Sequence, residues 1–241
     1  MKNLVLSTFL LLFYFSSPAQ KKSETNLIPS WKISYNLDYG TPAIESKDTP
    51  GDTEKDLLLK LSAALSGSAE GESPLTCYIS NTYIRVEQMG LGGGITLADK
   101  RDTLSYMLDT LEKTVTSYPA EMPNLQIQEL GDSVAVLSTD DLRIHLTADT
   151  MTIAGMHCKK AVFQHPEKEE YKINVWYTTE LPTLYWQKYS YLKAVPGCAL
   201  AITTKSGNLE IGIKAQRIEK LDIPEKFFLP PADYTLNTYT F

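Results

Sequence analysis

The chain has 241 residues, and its 29 acidic side chains outnumber the 23 lysines and arginines, which gives a formal net charge of −6 at pH 7. This negative balance argues against nucleic-acid binding, because phosphates are bound by clusters of lysine and arginine. The length suits one β-rich domain with a substantial core.

The first 20 residues have the three parts of a secretory signal peptide. Lys2 precedes an apolar run over residues 4–15, and small residues follow at Ser17 and Ala19. The run is shorter than the roughly 20 apolar residues that a membrane-spanning helix needs. We therefore expect residues 1–19 to be removed and residues 20–241 to form a single domain, soluble in the periplasm or cell envelope.

Apolar and polar residues alternate over residues 31–39, which predicts a strand with one buried face. The residues expected on that face are Trp31, Ile33, Tyr35, Leu37 and Tyr39. A loop is expected over residues 41–52.

The only convincing helix pattern follows. Thr53 and Asp56 form a capping box, and Gly67 ends the pattern. Its leucines recur at helical spacing and are Leu57, Leu58, Leu61 and Leu65. The stripe either covers one face of a sheet or acts as a lid over a cavity.

Strands on either side of a turn at Ser80-Asn81 are predicted over residues 75–89, and a hairpin with a turn at residues 109–112 is predicted over residues 103–118. The glycine-rich stretch at residues 90–94 separates them. A phosphate loop would need a helix N-terminus or a Gly-Lys-Ser/Thr ending after the glycines. Since neither follows, the stretch is interpreted as a mobile loop.

Another hairpin is centred on residues 151–182, with its charged turn at residues 165–170. Shorter strand patterns lie before and after it, at residues 125–130, 134–137, 142–146, 198–204, 209–215 and 217–221. Tyr185, Trp186, Tyr189 and Tyr191 form an aromatic cluster, and the proline-broken tail at residues 223–234 is expected to end the domain. Ten to twelve short strands and one helix indicate a mainly β (α+β) fold with a large, strongly curved or partly closed antiparallel sheet.

No catalytic, metal-binding or cofactor motif stands out. The three histidines, His145, His157 and His165, are scattered and are predicted to be surface residues. The three cysteines leave two alternatives open in an oxidising compartment, either one disulfide among Cys77, Cys158 and Cys198 or free thiols that act as small hydrophobic residues. A non-enzyme without a cofactor is expected, and a hydrolase is the most distant hypothesis.

The aromatic residues of the predicted strands offer large apolar faces with a polar atom, which suits the wall of a cavity for an amphipathic ligand. They could equally fill the core, because strands are enriched in aromatic residues. The candidate ligand-binding residues are Trp31, Tyr35, Tyr106, Trp176 and Trp186 as wall, with Leu58, Leu61 and Leu65 as wall or lid.

The stretch Ile153-Ala154-Gly155-Met156-His157-Cys158-Lys159-Lys160-Ala161, followed by Val175-Trp176-Tyr177-Thr178 and Leu181-Pro182, resembles the core motif of the GLPGLI family of exported bacterial proteins. These proteins belong to a wider group similar in fold to the lipoprotein carrier LolA. At the motif that names the family this chain has Ala194-Val195-Pro196-Gly197-Cys198-Ala199, which keeps the Pro-Gly pair.

This resemblance implies a half-barrel, in which one or two helices plug the open side of a curved antiparallel sheet. It implies a periplasmic carrier of a hydrophobic or amphipathic ligand, such as a lipid or a lipoprotein, with peripheral membrane contact. The alternative is an interaction or sensing module that binds a protein of the cell envelope. The resemblance transfers no catalytic residue.

Overall fold

A computed structural model describes residues 26–39, 73–89, 93–121, 124–128, 134–167, 171–206 and 209–238. The predicted signal peptide, the predicted helix with Leu58, Leu61 and Leu65, and the loop over residues 41–52 lie outside the described residues. So do residues 90–92 of the glycine-rich stretch.

The described residues form fourteen strands. They are β1 (Leu27–Tyr39), β2 (Leu75–Ile79), β3 (Tyr83–Gln88), β4 (Gly94–Asp99), β5 (Leu104–Asp109), β6 (Thr114–Pro119), β7 (Asn124–Gln128), β8 (Val134–Ser138), β9 (Arg143–Ile153), β10 (Met156–Gln164), β11 (Lys172–Thr178), β12 (Cys198–Ser206), β13 (Leu209–Pro224) and β14 (Thr235–Thr238). Three short 3-10 helices accompany them, at Thr139–Asp141, Gln187–Ala194 and Glu225–Phe228.

Twelve of these strands make one sheet in the order β14-β6-β5-β4-β3-β2-β1-β13-β12-β11-β10-β9, and β7 pairs with β8 in a separate hairpin. Every neighbouring pair is antiparallel except β14 and β6, which run parallel. The prediction of a mainly β fold with one large antiparallel sheet is therefore confirmed. The sheet bends strongly, because Cα atoms of β9 and β13 approach within 8 Å although three strands lie between them.

Two strands were not predicted. β4 follows a glycine-rich stretch, and β14 belongs to the tail that was expected to end the domain. The tail does not end the domain, because β14 adds an edge strand beside β6. Each segment has only a short apolar alternation of its own. β4 is held by hydrogen bonds to β3 and β5, and β14 is held by hydrogen bonds to β6.

The predicted hairpin of residues 151–182 is confirmed for β10 and β11, in which Ala161 lies opposite Val175. Its first limb, however, is broken by a tight turn at Ala154-Gly155, so that Ile153 belongs to β9. The φ angles of these two residues are +48° and +82°. Positive φ at both central residues is the usual requirement of a two-residue hairpin turn, and an alanine in that position conceals the turn in the sequence.

Strand register separates two faces of the sheet. On the inner face Ile33, Cys77 and Val86 lie opposite one another in β1, β2 and β3. The main apolar cluster is built on this face and includes Ile33 and Tyr35, both fully buried. Two residues that were expected to face inward, Leu37 and Leu146, are 38% and 57% exposed. Leu146 lies on β9, which is the edge strand of the sheet among the described residues.

The segment between β11 and β12, residues 179–197, covers part of the inner face. Leu184 and Leu192 are 1% and 0% exposed, and both belong to the main cluster. The predicted aromatic cluster lies here: the ring centroids of Trp186 and Tyr189 are 4.5 Å apart, and those of Phe163 and Tyr191 are 5.0 Å apart. We call residues 179–197 the plug segment, because its buried side chains join the main apolar cluster on the inner face.

The outer face is crossed by the C-terminal tail. The ring of Phe228 stacks on Tyr83, and the ring of Phe227 meets Tyr78 edge to face. Arg85 fixes the crossing, since its guanidinium lies 4.1 Å from the centre of the Phe227 ring and Nη1 donates to the Phe227 carbonyl at 2.9 Å. The tail then turns to place β14 beside β6.

Candidate functional site

A cleft of about 640 Å³ opens where β3 ends, β4 begins and β5 turns into β6. Its wall combines apolar side chains, threonine hydroxyls, one amide and two carboxylates. The lining residues are Glu87, Gln88, Gly93, Gly94, Ile95, Met107, Leu108, Asp109, Thr110, Leu111, Thr114 and Thr116. The volume lies in the range of small-molecule sites, about 300–1,000 Å³.

The β5–β6 turn shapes one side of this cleft. Asp109 Oδ1 accepts the backbone N–H groups of Leu111 and Glu112, each at 2.9 Å. An aspartate that bonds the backbone two residues onward stabilises a turn without help from the rest of the fold. This local bonding leaves the Leu111 side chain 91% exposed at the tip.

The inner wall is set by strand register. Met107 lies opposite Thr96 and Thr116, and Gly94 lies opposite Gln88. These residues continue the inner face beyond the main apolar cluster. The plug segment reaches this wall, because Gln187 Nε2 lies 3.6 Å from Met107 Sδ.

A second group of reactive side chains lies inside the main cluster. The hydroxyl of Tyr35 donates to the Ala199 carbonyl at 2.7 Å and is fully buried. Cys77, Cys158 and Cys198 are free thiols, and each is 0% exposed. Burial raises the pKa of Cys77 well above its ordinary value and raises the pKa of Cys198 to about 12. Thiols with raised pKa values are poor nucleophiles at neutral pH.

Lys100 lies near this group. Its Nζ donates to the Ser80 carbonyl at 2.7 Å, and burial lowers the pKa of its ammonium group to about 8. The Lys100 charge in turn opposes the rise in the Cys198 pKa. Because Tyr35 and the three thiols are buried, a change in their ionisation affects the stability of the fold.

The raised Cys198 pKa predicts a loss of stability at alkaline pH. Between about pH 9, the ordinary pKa of the thiol, and about pH 12, its pKa in the folded protein, the thiol is ionised in the unfolded chain but protonated in the folded one. The folded state then binds more protons, so the free energy of unfolding falls as pH rises, by about 1.4 kcal/mol at about pH 10 for this group.

Lys100 acts in the opposite direction between about pH 8 and 10.5, where the folded chain binds fewer protons. The measurement is therefore the difference in unfolding free energy between the wild type and Cys198→Ala, both under reducing conditions, because Lys100 is present in both. This difference should be about 1.4 kcal/mol smaller at about pH 10 than at about pH 8. An unchanged difference would contradict the prediction.

The candidate residues predicted from the sequence do not form one wall. Tyr35 and Trp186 are buried in the main cluster, 0% and 4% exposed. Trp31 and Trp176 are half-buried, each beneath a lysine, and Tyr106 packs on the outer face with Leu97. None of these five lines the cleft.

Sequence reasoning missed Met107, Asp109 and Thr116. Met107 falls between Tyr106 and Leu108, whose alternation drew attention to the outer face instead. The available signal was the Gly93-Gly94 pair, since glycine in a strand often marks close approach by a ligand or a neighbouring backbone.

Two of the three predicted surface histidines, His145 and His157, are exposed. The prediction for His165 is wrong, because this residue is only 8% exposed and its Nδ1 accepts the Glu167 N–H at 3.2 Å. The inward alternation of Ala161 and Phe163 in β10 simply continues to His165.

No helix among the described residues has the length and apolar character to cross a membrane. Within the same ranges, no group of three or more histidine, cysteine or acidic side chains is arranged to hold a metal ion.

No family model and no curated protein matches the chain. Among solved structures, it is similar to PNGF-II in two crystal forms, each with a TM-score of 0.49 and 12% sequence identity. The alignments cover 88% of this chain but only 31% and 32% of PNGF-II, so the chain spans about a third of that protein. An uncharacterised conserved protein from Thermus thermophilus aligns with a TM-score of 0.44 and 10% identity, over 90% of this chain and 94% of the other.

Proposed function

We propose that this protein binds a hydrophobic or amphipathic ligand and acts as a carrier in the periplasm or cell envelope, without catalysis. One observation carries this proposal: the cleft places Met107 and Leu111 beside the hydroxyls of Thr114 and Thr116 in a volume of about 640 Å³. A few polar groups set among apolar ones are typical of sites for small amphipathic molecules.

The proposal includes a LolA-like half-barrel and removal of residues 1–19 on export. The strongly bent sheet, with a plug segment on its inner face, supports the half-barrel. The motif around residues 153–182 supports the family resemblance. The signal-like pattern of the first 20 residues supports export.

Native mass spectrometry tests the carrier directly. The mature protein is purified from the envelope of its own host, and co-purifying molecules are extracted and identified. A reproducible lipid or other amphipathic molecule at a defined stoichiometry is the expected result. An apo mass, together with no binding of fluorescent fatty-acid or alkylamine probes, would count against a carrier.

Filling the cleft should weaken ligand binding. A Cβ at Gly94 would meet only the Leu108 carbonyl oxygen, at 3.8 Å, which is an ordinary contact. We therefore expect Gly94→Phe to fold and to reduce the affinity for the bound amphipathic molecule at least about tenfold, since its ring takes ligand space. Gly94→Ala, which adds one methyl group at the same position, is the matched control and should bind like the wild type; equal binding by Gly94→Phe would place the ligand elsewhere.

The second candidate is a module that binds an envelope protein. It is favoured by the dense packing of the plug segment, in which Leu184, Leu192 and Val195 are each 2% exposed or less. A filled core leaves little room for a small molecule between the plug segment and the sheet. A protein that co-purifies with the wild type and with Gly94→Phe alike would favour this candidate.

A further inference from the structure

The two carboxylates at the cleft differ in whether a cationic side chain pairs with them. Glu87 Oε1 accepts Arg85 Nε at 2.7 Å, so this carboxylate is paired. Asp109 has no ion-pair partner among the described residues, and its Oδ1 bonds only the backbone N–H groups of the turn. The cleft therefore holds one carboxylate whose charge no lysine or arginine of the described residues neutralises.

The neighbouring cations are held away from the cleft. Arg85 is bound to the Phe227 carbonyl and lies against the Phe227 ring on the outer face. Lys113 Nζ pairs with Asp233 at 3.2 Å in the C-terminal tail. No lysine, arginine or histidine is among the described lining residues, so an anionic head group would meet a carboxylate and no cation of this part of the chain.

Opposite charge is favoured at such a site, and like charge is disfavoured. We propose that the cleft selects a cationic amphipathic ligand, a molecule with an ammonium head group on an apolar chain, and that Asp109 is the residue that recognises the ammonium group. The threonine hydroxyls accept the remaining N–H donors, while Met107 and Leu111 contact the apolar chain of the ligand. This inference rests on the proposed function, because it names the ligand class of the same cleft.

Three probes that share an alkyl chain and differ in head-group charge test whether the cleft selects a cation. They are decylammonium, decanol and decanoate, each used below its aggregation limit. Titration calorimetry should give the order decylammonium, then decanol, then decanoate, from tightest to weakest. The methyl resonance of Met107, assigned through Met107→Leu, should shift on addition of decylammonium, which locates the binding.

Asp109→Asn removes the charge but keeps an oxygen that accepts the turn N–H groups. We expect this variant to bind decylammonium about three- to fivefold more weakly, as for a solvent-exposed charge pair, so that its preference for decylammonium over decanol is reduced. Asp102→Asn is the matched control. Asp102 is also exposed, and its Oδ1 accepts the Thr103 N–H in the turn at the opposite end of β5.

The outcomes distinguish the two proposals. Decanoate or decanol that binds as tightly as decylammonium, or an Asp109→Asn variant with unchanged decylammonium affinity, would overturn the charge selection while ligand binding stands. Equal losses in Asp109→Asn and Asp102→Asn would also overturn it, because the effect would then be a general one of net charge. Failure of all three probes to bind would overturn the cleft as a ligand site and the charge selection with it.

Discussion

Replacing Gly197 by alanine should lower the free energy of unfolding by about 3–5 kcal/mol. Gly197 has φ of +151°, a backbone conformation that residues with a side chain rarely adopt. A Cβ built there would lie 2.1 Å from the carbonyl oxygen of Thr178 and 2.8 Å from its carbon. Both contacts are to backbone atoms at the end of β11, so relief requires the strand or the turn to move.

Comparing Gly155→Ala with Gly197→Ala separates the cost of backbone strain from the cost of steric crowding. Gly155 also has positive φ, +82°, but a Cβ there would meet nothing within 4 Å. This variant should therefore lose only about 1–2 kcal/mol, the cost of a left-handed conformation alone. Denaturant unfolding of both variants measures the difference. Similar losses for Gly155→Ala and Gly197→Ala would show that the close approach to Thr178 is not what constrains position 197.

Shortening Leu192 to alanine should cost about 2–5 kcal/mol, the range for a buried leucine whose removal leaves a cavity. Leu192 is 0% exposed and lies in the 3-10 helix Gln187–Ala194, within the main apolar cluster. The short helix has few hydrogen bonds of its own, so its position depends on side-chain packing against the sheet. Thermal and denaturant unfolding give the measurement.

Leu111→Ala is the control for this loss, because Leu111 is 91% exposed at the β5–β6 turn. It should change the free energy of unfolding by no more than about 0.5 kcal/mol. If Leu192→Ala behaved in the same way, the plug segment would not be part of the core, and the inner face would be free for a ligand.

The sequence did not predict the residues of the cleft. Strand alternation correctly predicted the hairpin of β5 and β6, yet it drew attention to Tyr106, which packs on the outer face. Met107 lies on the inner wall, between two apolar neighbours that conceal its alternation. Asp109 belongs to a turn, and turns offer many solvated carboxylates; only the neighbouring β3 and β4 make this one part of a cleft.

By itself, the sequence determined the mainly β class, most of the strands and the hairpin of β10 and β11, since period-two alternation and turn residues are local properties of the chain. Only the tertiary structure decided that β14 joins β6 and that the plug segment covers part of the inner face. Those features depend on segments far apart in sequence. The β14–β6 pair joins residues about 120 positions apart, and no local pattern records which partner such a strand will find.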